Sequence, residues 1–196
     1  VANDGRPNHL WVNQRDGTFK EEAVARGLAV NAMGGAEGNM GVTWGDVDGD
    51  GLQDVFVTHL DFETNTLWRQ APASPGYFAD WTAASRMNKP KWKATGLGTI
   101  GGDFDNDGHA DLIVTRLRGP NAFFKNLGNG TFADQTAAIG LNQKIFNSQA
   151  ACLADLNGDG RLDLILANEG QDSAVLFGAS SEAKKTPVVL AGVPVG

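Results

Sequence analysis

Three nine-residue segments carry oxygen-bearing side chains at the same offsets: Asp46-Val-Asp-Gly-Asp-Gly-Leu-Gln-Asp54, Asp103-Phe-Asp-Asn-Asp-Gly-His-Ala-Asp111 and Asp155-Leu-Asn-Gly-Asp-Gly-Arg-Leu-Asp163. Each gathers three or four carboxylates that repel one another unless a cation stands among them. A hard divalent cation takes roughly six to eight oxygens from carboxylates, backbone carbonyls and water. The side-chain candidates are Asp46, Asp48, Asp50 and Asp54; Asp103, Asp105, Asp107 and Asp111; and Asp155, Asn157, Asp159 and Asp163. Position seven offers the backbone carbonyls of Leu52, His109 and Arg161, and position six is a glycine (Gly51, Gly108, Gly160) suited to the sharp turn. No Cys or His stands at a side-chain ligand position, which disfavours zinc, and many protein oxygens with few waters favour calcium over magnesium. Three calcium sites are expected. His109 is at a carbonyl position, so its ring is expected to point away and to have no catalytic role.

Two other readings meet the same residues. Asp, Asn and Gly are also what solvated turns prefer, but three copies with identical offsets favour a metal. The first six positions match an EF hand, yet position twelve is Val57, Val114 or Leu166 inside an apolar run instead of a bidentate Glu. Asp54, Asp111 and Asp163 are therefore expected to supply the closing carboxylate.

The elements around the loops repeat as well; the loop starts lie 57 and 52 residues apart. Small-residue runs precede them (Gly41 to Gly45, Gly98 to Gly102, Ala150 to Ala154), and β-branched or apolar runs follow (Val55 to Thr58, Leu112 to Thr115, Leu164 to Ala167). Each unit reads strand, loop, strand. A third strand is marked by Asn8-His-Leu-Trp11, Asn65-Thr-Leu-Trp68, Asn121-Ala-Phe-Phe124 and, more weakly, Ser173-Ala-Val-Leu176. A fourth follows a glycine turn, with Phe19, Phe78 and Phe132 at matching places; Gly27-Leu28, Arg86-Met87 and Gly140-Leu141 come next. Four strands in a unit of about 55 residues indicate an all-β chain built of propeller blades. Trp11, Trp68 and Phe124 are expected to pack between blades, while Trp44, Trp81 and Trp92 are less regular and one of them is a candidate for lining a surface groove.

Composition agrees and excludes other classes. The chain of 196 residues has 26 Gly and a formal charge of −7, which argues against a nucleic-acid surface. Eleven of the 23 acidic residues fall in the three loops, so three divalent ions would bring the charge to about −1. No apolar run reaches the roughly 18 to 20 residues of a membrane span, and no signal-peptide pattern opens the chain, so a soluble protein is expected, with any export signal outside it. Cys152, the single cysteine, sits between Ala151 and Leu153 and reads as a buried strand position. Asn129-Gly-Thr131 matches a glycan acceptor, a sequon common by chance.

The loops, the Asn-x-Leu-Trp element and the Gly-x-Phe element together resemble the calcium-binding FG-GAP repeats of integrin α-chain propellers, and more closely their bacterial relatives, the VCBS repeats. The resemblance reaches to about Phe177, although a literal Phe-Gly and Gly-Ala-Pro pair is absent and Asn157 replaces one Asp. It implies blades of four antiparallel strands with calcium between the first two, in secreted or surface proteins, extracellular or periplasmic, and commonly seven blades in a ring. About 3.5 blades are then present: a partial blade over 1–40 with Val1 to Asn3 as the tail of a second strand, and blades over 41–97, 98–149 and 150–196. The expected function is a calcium-stabilised module that binds protein or glycan, in adhesion or assembly. The alternative is a fragment of a carbohydrate-active propeller enzyme, against which stand one Tyr, three scattered His and no recurring acid pair outside the loops. Open blade edges suggest head-to-tail self-association, as a closed ring or a filament. The uncharged Thr186-Pro-Val-Val-Leu-Ala-Gly-Val-Pro-Val-Gly196 offers Val188 to Leu190 as a last strand, which Pro187 and Pro194 confine to an edge.

Overall fold

The computed structural model describes residues 1–87, 95–178 and 190–194, the last as backbone. Its described elements are strands joined by turns, with no helix among them. Three four-stranded antiparallel sheets follow one another along the chain. The first joins β3 (Val42–Gly45), β4 (Asp54–Val57), β5 (Thr66–Ala71) and β6 (Ser74–Asp80). The second joins β7 (Gly96–Gly102), β8 (Asp111–Arg116), β9 (Ala122–Asn126) and β10 (Phe132–Asp134). The third joins β11 (Ser148–Ala154), β12 (Asp163–Asn168), β13 (Ala174–Gly178) and β14 (Leu190–Pro194). Ahead of them β1 (Trp11–Asn13) pairs with β2 (Phe19–Glu21). Neighbours in sequence are neighbours in each sheet, the meander of β-propeller blades.

The half-blade at the start continues this pattern. Val1 and His9 exchange two main-chain hydrogen bonds, 2.5 and 3.0 Å, much as Val57 pairs with Thr66 in the next blade. The recurrent Asn of the third-strand motif closes the turn before it: Asn8, Asn65 and Asn121 each accept, through Oδ1, the N–H of Asn3, His59 and Arg116.

Both faces of the middle sheets are buried, which is why β8 reads as an unbroken apolar run. Leu112, Val114, Ala122 and Phe124 pack with Phe56 and Leu67 of the preceding blade, whereas Ile113 and Phe123 pack with Leu164, Leu166 and Leu176 of the following one. The small residues of the first strands have a related cause. Those strands run close together, and a Cβ at Gly41 would lie 2.7 Å from the Leu97 carbonyl oxygen. Gly27-Leu28, Arg86-Met87 and Gly140-Leu141 are turns whose first residue has positive φ (80°, 65° and 80°) and whose second is buried.

Two expectations need correction. Trp68 and Phe124 are buried between blades, but Trp11 is half exposed, because no described sheet stands on its side of β1 and β2. Trp44 is also exposed, while Trp81 lies under the Arg69 guanidinium at 5.0 Å; Trp92 lies outside the described residues. Cys152 is on a strand as expected but exposed: Ala151 and Leu153 turn to the core, so strand alternation sends Cys152 to the other face. The last strand is Leu190–Pro194, with Pro194 at a sheet edge; Val188 and Val189 lie outside the described residues.

Phe19 and Phe132 hold the same repeat place with 59% and 3% exposure. Phe132→Ala should therefore cost about 3–5 kcal/mol in urea unfolding and Phe19→Ala under about 1 kcal/mol.

Candidate metal centres

Each acidic loop joins the first strand of a blade to the second, and its shape is set by carboxylates accepting backbone amides. At position one, Asp46 Oδ1 accepts from the N–H of Gly49 (2.8 Å) and Asp50 (3.1 Å), and Oδ2 from Gly51 (2.8 Å). Asp155 repeats this with Gly158, Asp159 and Gly160, and Asp103 with Asp107 and Gly108. The amide of Gly160, helped by those of Gly158 and Asp159, holds the Asp155 carboxyl below its ordinary range against the opposing effect of burial. At position five, Asp50, Asp107 and Asp159 accept from the N–H of Leu52, His109 and Arg161. The turn needs left-handed backbone at position six, where φ is 85°, 90° and 80° at Gly51, Gly108 and Gly160.

Position nine has a second role. Asp54 accepts from Val47 and Gln70 (3.1 and 2.9 Å), Asp111 from Phe104 and Asn126 (3.2 and 2.7 Å), and Asp163 from Leu156 and Gly178 (2.8 and 2.9 Å). One buried carboxylate thus ties the loop to the third strand. Burial raises Asp54 to about 6 and Asp111 to about 7, against the pull of these amides.

The carboxylate oxygens of Asp46, Asp48 and Asp50 lie within 4.8 Å of one another, as do those of Asp103, Asp105 and Asp111. Asp54 and Asp107 are outside these groupings. In the third loop no three acidic groups converge among the described residues, and Asn157 donates to Asp159 Oδ2 at 2.8 Å. Buried oxygens of Asp50 and Asp105 have no hydrogen-bond partner, and burial raises Asp48 although Arg69 pulls against it. A set of oxygens that is costly to bury without positive charge fits a hard cation. The His109 ring rests against Gly128 of the β9–β10 turn.

Two functional neighbours escape a reading of the loops alone. Arg69 of β5 touches Asp48 Oδ2 and lies 3.6 Å from Asp50 Oδ2; Lys125 of β9 touches Asp105 Oδ2 and lies 2.7 Å from Asp107 Oδ2. The available signal was a basic residue directly after the repeated aromatic, Trp68-Arg69 and Phe124-Lys125.

The family model described as FG-GAP-like repeat matches residues 1–57 and 103–178. The chain belongs to the FG-GAP-like repeat family. Among curated relatives of these FG-GAP-like repeats, cartilage acidic protein 1 of Homo sapiens is 33% identical over 168 residues, 82% of this chain and 24% of that protein. The Mus musculus protein of that name is 31% identical over 152 residues, 74% of this chain and 23% of the relative. The chain spans about a quarter of the length of these curated relatives.

At the far end of the same blade from the loop, His59 is fully buried, with Nε2 3.0 Å from Thr66 Oγ1 and 3.5 Å from Glu37. Burial lowers its pKa to about 4, against the nearby Asp80. In this FG-GAP-like blade it is a neutral core group out of reach of a substrate. Its folded value lies below the unfolded value of about 6.5, so its contribution is present above pH 6.5 and lost as the pH falls toward 4. Urea midpoints should fall over that range, and His59→Gln should flatten that part of the profile. Asp163→Ala, which strands two amides, should cost about 1–3 kcal/mol in urea unfolding even in chelator.

Proposed function

We propose that the chain is a calcium-binding FG-GAP-like module whose loops bind one ion each. The observation that supports this most is the convergence of Asp46, Asp48 and Asp50, and of Asp103, Asp105 and Asp111, with one buried oxygen each of Asp50 and Asp105 lacking a hydrogen-bond donor. Asp54, Asp107, Asp155, Asn157, Asp159 and Asp163, with the carbonyls of Leu52, His109 and Arg161, complete the proposed ligand sets. The ion's role is to neutralise the loops and stiffen the blades, leaving faces and edges for a protein or glycan partner. The reading is that of a binding module, not an enzyme.

With a dissociation constant near ~0.1 mM, the sites fill at the ~1 mM calcium found outside cells and stay empty at cytosolic levels. That supports an extracellular or surface location, with which the relatives' name, taken from cartilage, agrees. We take the chain as a half-blade followed by three blades that begin close to the expected limits, just before β3, β7 and β11. Exposed Trp11 and Phe19 on β1 and β2 form a face for another blade, from the same polypeptide or another copy.

Isothermal titration should show three calcium sites, and fewer than two would defeat the reading. Each site adds ~1.4 kcal/mol at ~1 mM calcium by mass action, so chelation should lower the melting temperature clearly.

A further inference from the structure

The three loops have nearly the same backbone, yet they differ in what the third strand places beside them. The position-nine carboxylate fixes that strand's register by accepting the N–H of Gln70, Asn126 or Gly178. The residue just before is therefore held next to the loop: Arg69, Lys125 and Phe177. Two of these are cations and the third is not. Beside the third loop the charge comes from within, since Arg161 pairs with Asp159 and donates from Nε to the Gly178 carbonyl at 2.8 Å.

Arg69 and Lys125 are not loose surface charges. Their side chains are 25% and 20% exposed, and Arg69 is braced over the Trp81 ring. Asp48, whose Oδ2 Arg69 meets, is 7% exposed. A carboxylate buried to that degree requires positive charge at close range. Two sources compete to provide it, a divalent ion and the tethered side chain.

We propose that Arg69 and Lys125 are tethered counter-ions of the first two loops: they hold the carboxylates together when calcium is scarce, and they lower calcium affinity by competing for the same oxygens. Binding at these two loops is then an exchange of one cation's contacts for another's, whereas the third loop lacks a competitor from its third strand. This rests on the calcium reading above.

The test compares the whole chain with Arg69→Met and Lys125→Met, which keep a long apolar stem without the charge, using calcium titration and melting in chelator. Each variant should tighten one site about tenfold and lower the melting temperature in chelator. Phe177→Lys, which introduces the competitor, should weaken one site by a similar factor. Tighter calcium binding together with a less stable calcium-free protein is a pairing that a merely bracing role does not produce. Unchanged or weaker binding in the methionine variants, with wild type binding normally, overturns the proposal and leaves the calcium reading standing. A wild type that takes up no calcium overturns both. Should Arg69→Met fail to fold because Trp81 loses its partner, Lys125→Met and Phe177→Lys decide the matter.

Discussion

A single buried carboxylate per blade, at Asp54, Asp111 and Asp163, is the interaction on which the rest of each blade depends. It accepts one amide from the loop and one from the third strand, so it sets the loop's shape and the register of the sheet together. Its loop partner matters as much as the bond. The second loop residue supplies that amide and sends its side chain between blades: Val47 is buried against the second sheet and Phe104 against the third. The acidic loop is therefore part of the packing between blades, and neutralising it acts on the core as well as on the surface.

The same residue in the third loop, Leu156, is 49% exposed. No described sheet follows the third one, just as none precedes β1 and β2, where Trp11 and Phe19 are exposed. Exposure thus follows a blade's place in the series and not the residue's place in the repeat. This is why repetition in the sequence revealed the strands and the all-β architecture but misjudged Trp11. A repeat states what each position does when both neighbours are present, and burial depends on whether they are.

The candidate site was legible to a different degree. Carboxylates at alternate positions of one short loop leave a local signature, and the glycine at position six follows from the left-handed turn. Arg69 and Lys125 come from another strand, 18 to 21 residues from the carboxylates they meet, as single basic residues with no motif of their own. Only the strand register set by the position-nine carboxylate places them beside the loop. The dual duty of position nine was hidden for the same reason, because its second partner belongs to another strand.

Three copies within one chain also act as internal controls on short motifs. Asn129 accepts from the backbone N–H and the hydroxyl of Thr131 at 3.1 and 2.6 Å; in the half-blade, Asp16 accepts from Thr18 at 2.9 and 2.6 Å. In these two hairpins between third and fourth strands a short side-chain acceptor is followed two residues later by Thr, and Asn129-Gly-Thr131 satisfies that turn without reference to a glycan. The Asn that closes the turn before the third strand and the position-nine carboxylate recur because they hold the backbone of the blade. Where the copies diverge at equivalent places, as at Arg69, Lys125 and Phe177, the main chain of the strand is held by the position-nine carboxylate, and the side chain gives one blade a property that the others lack.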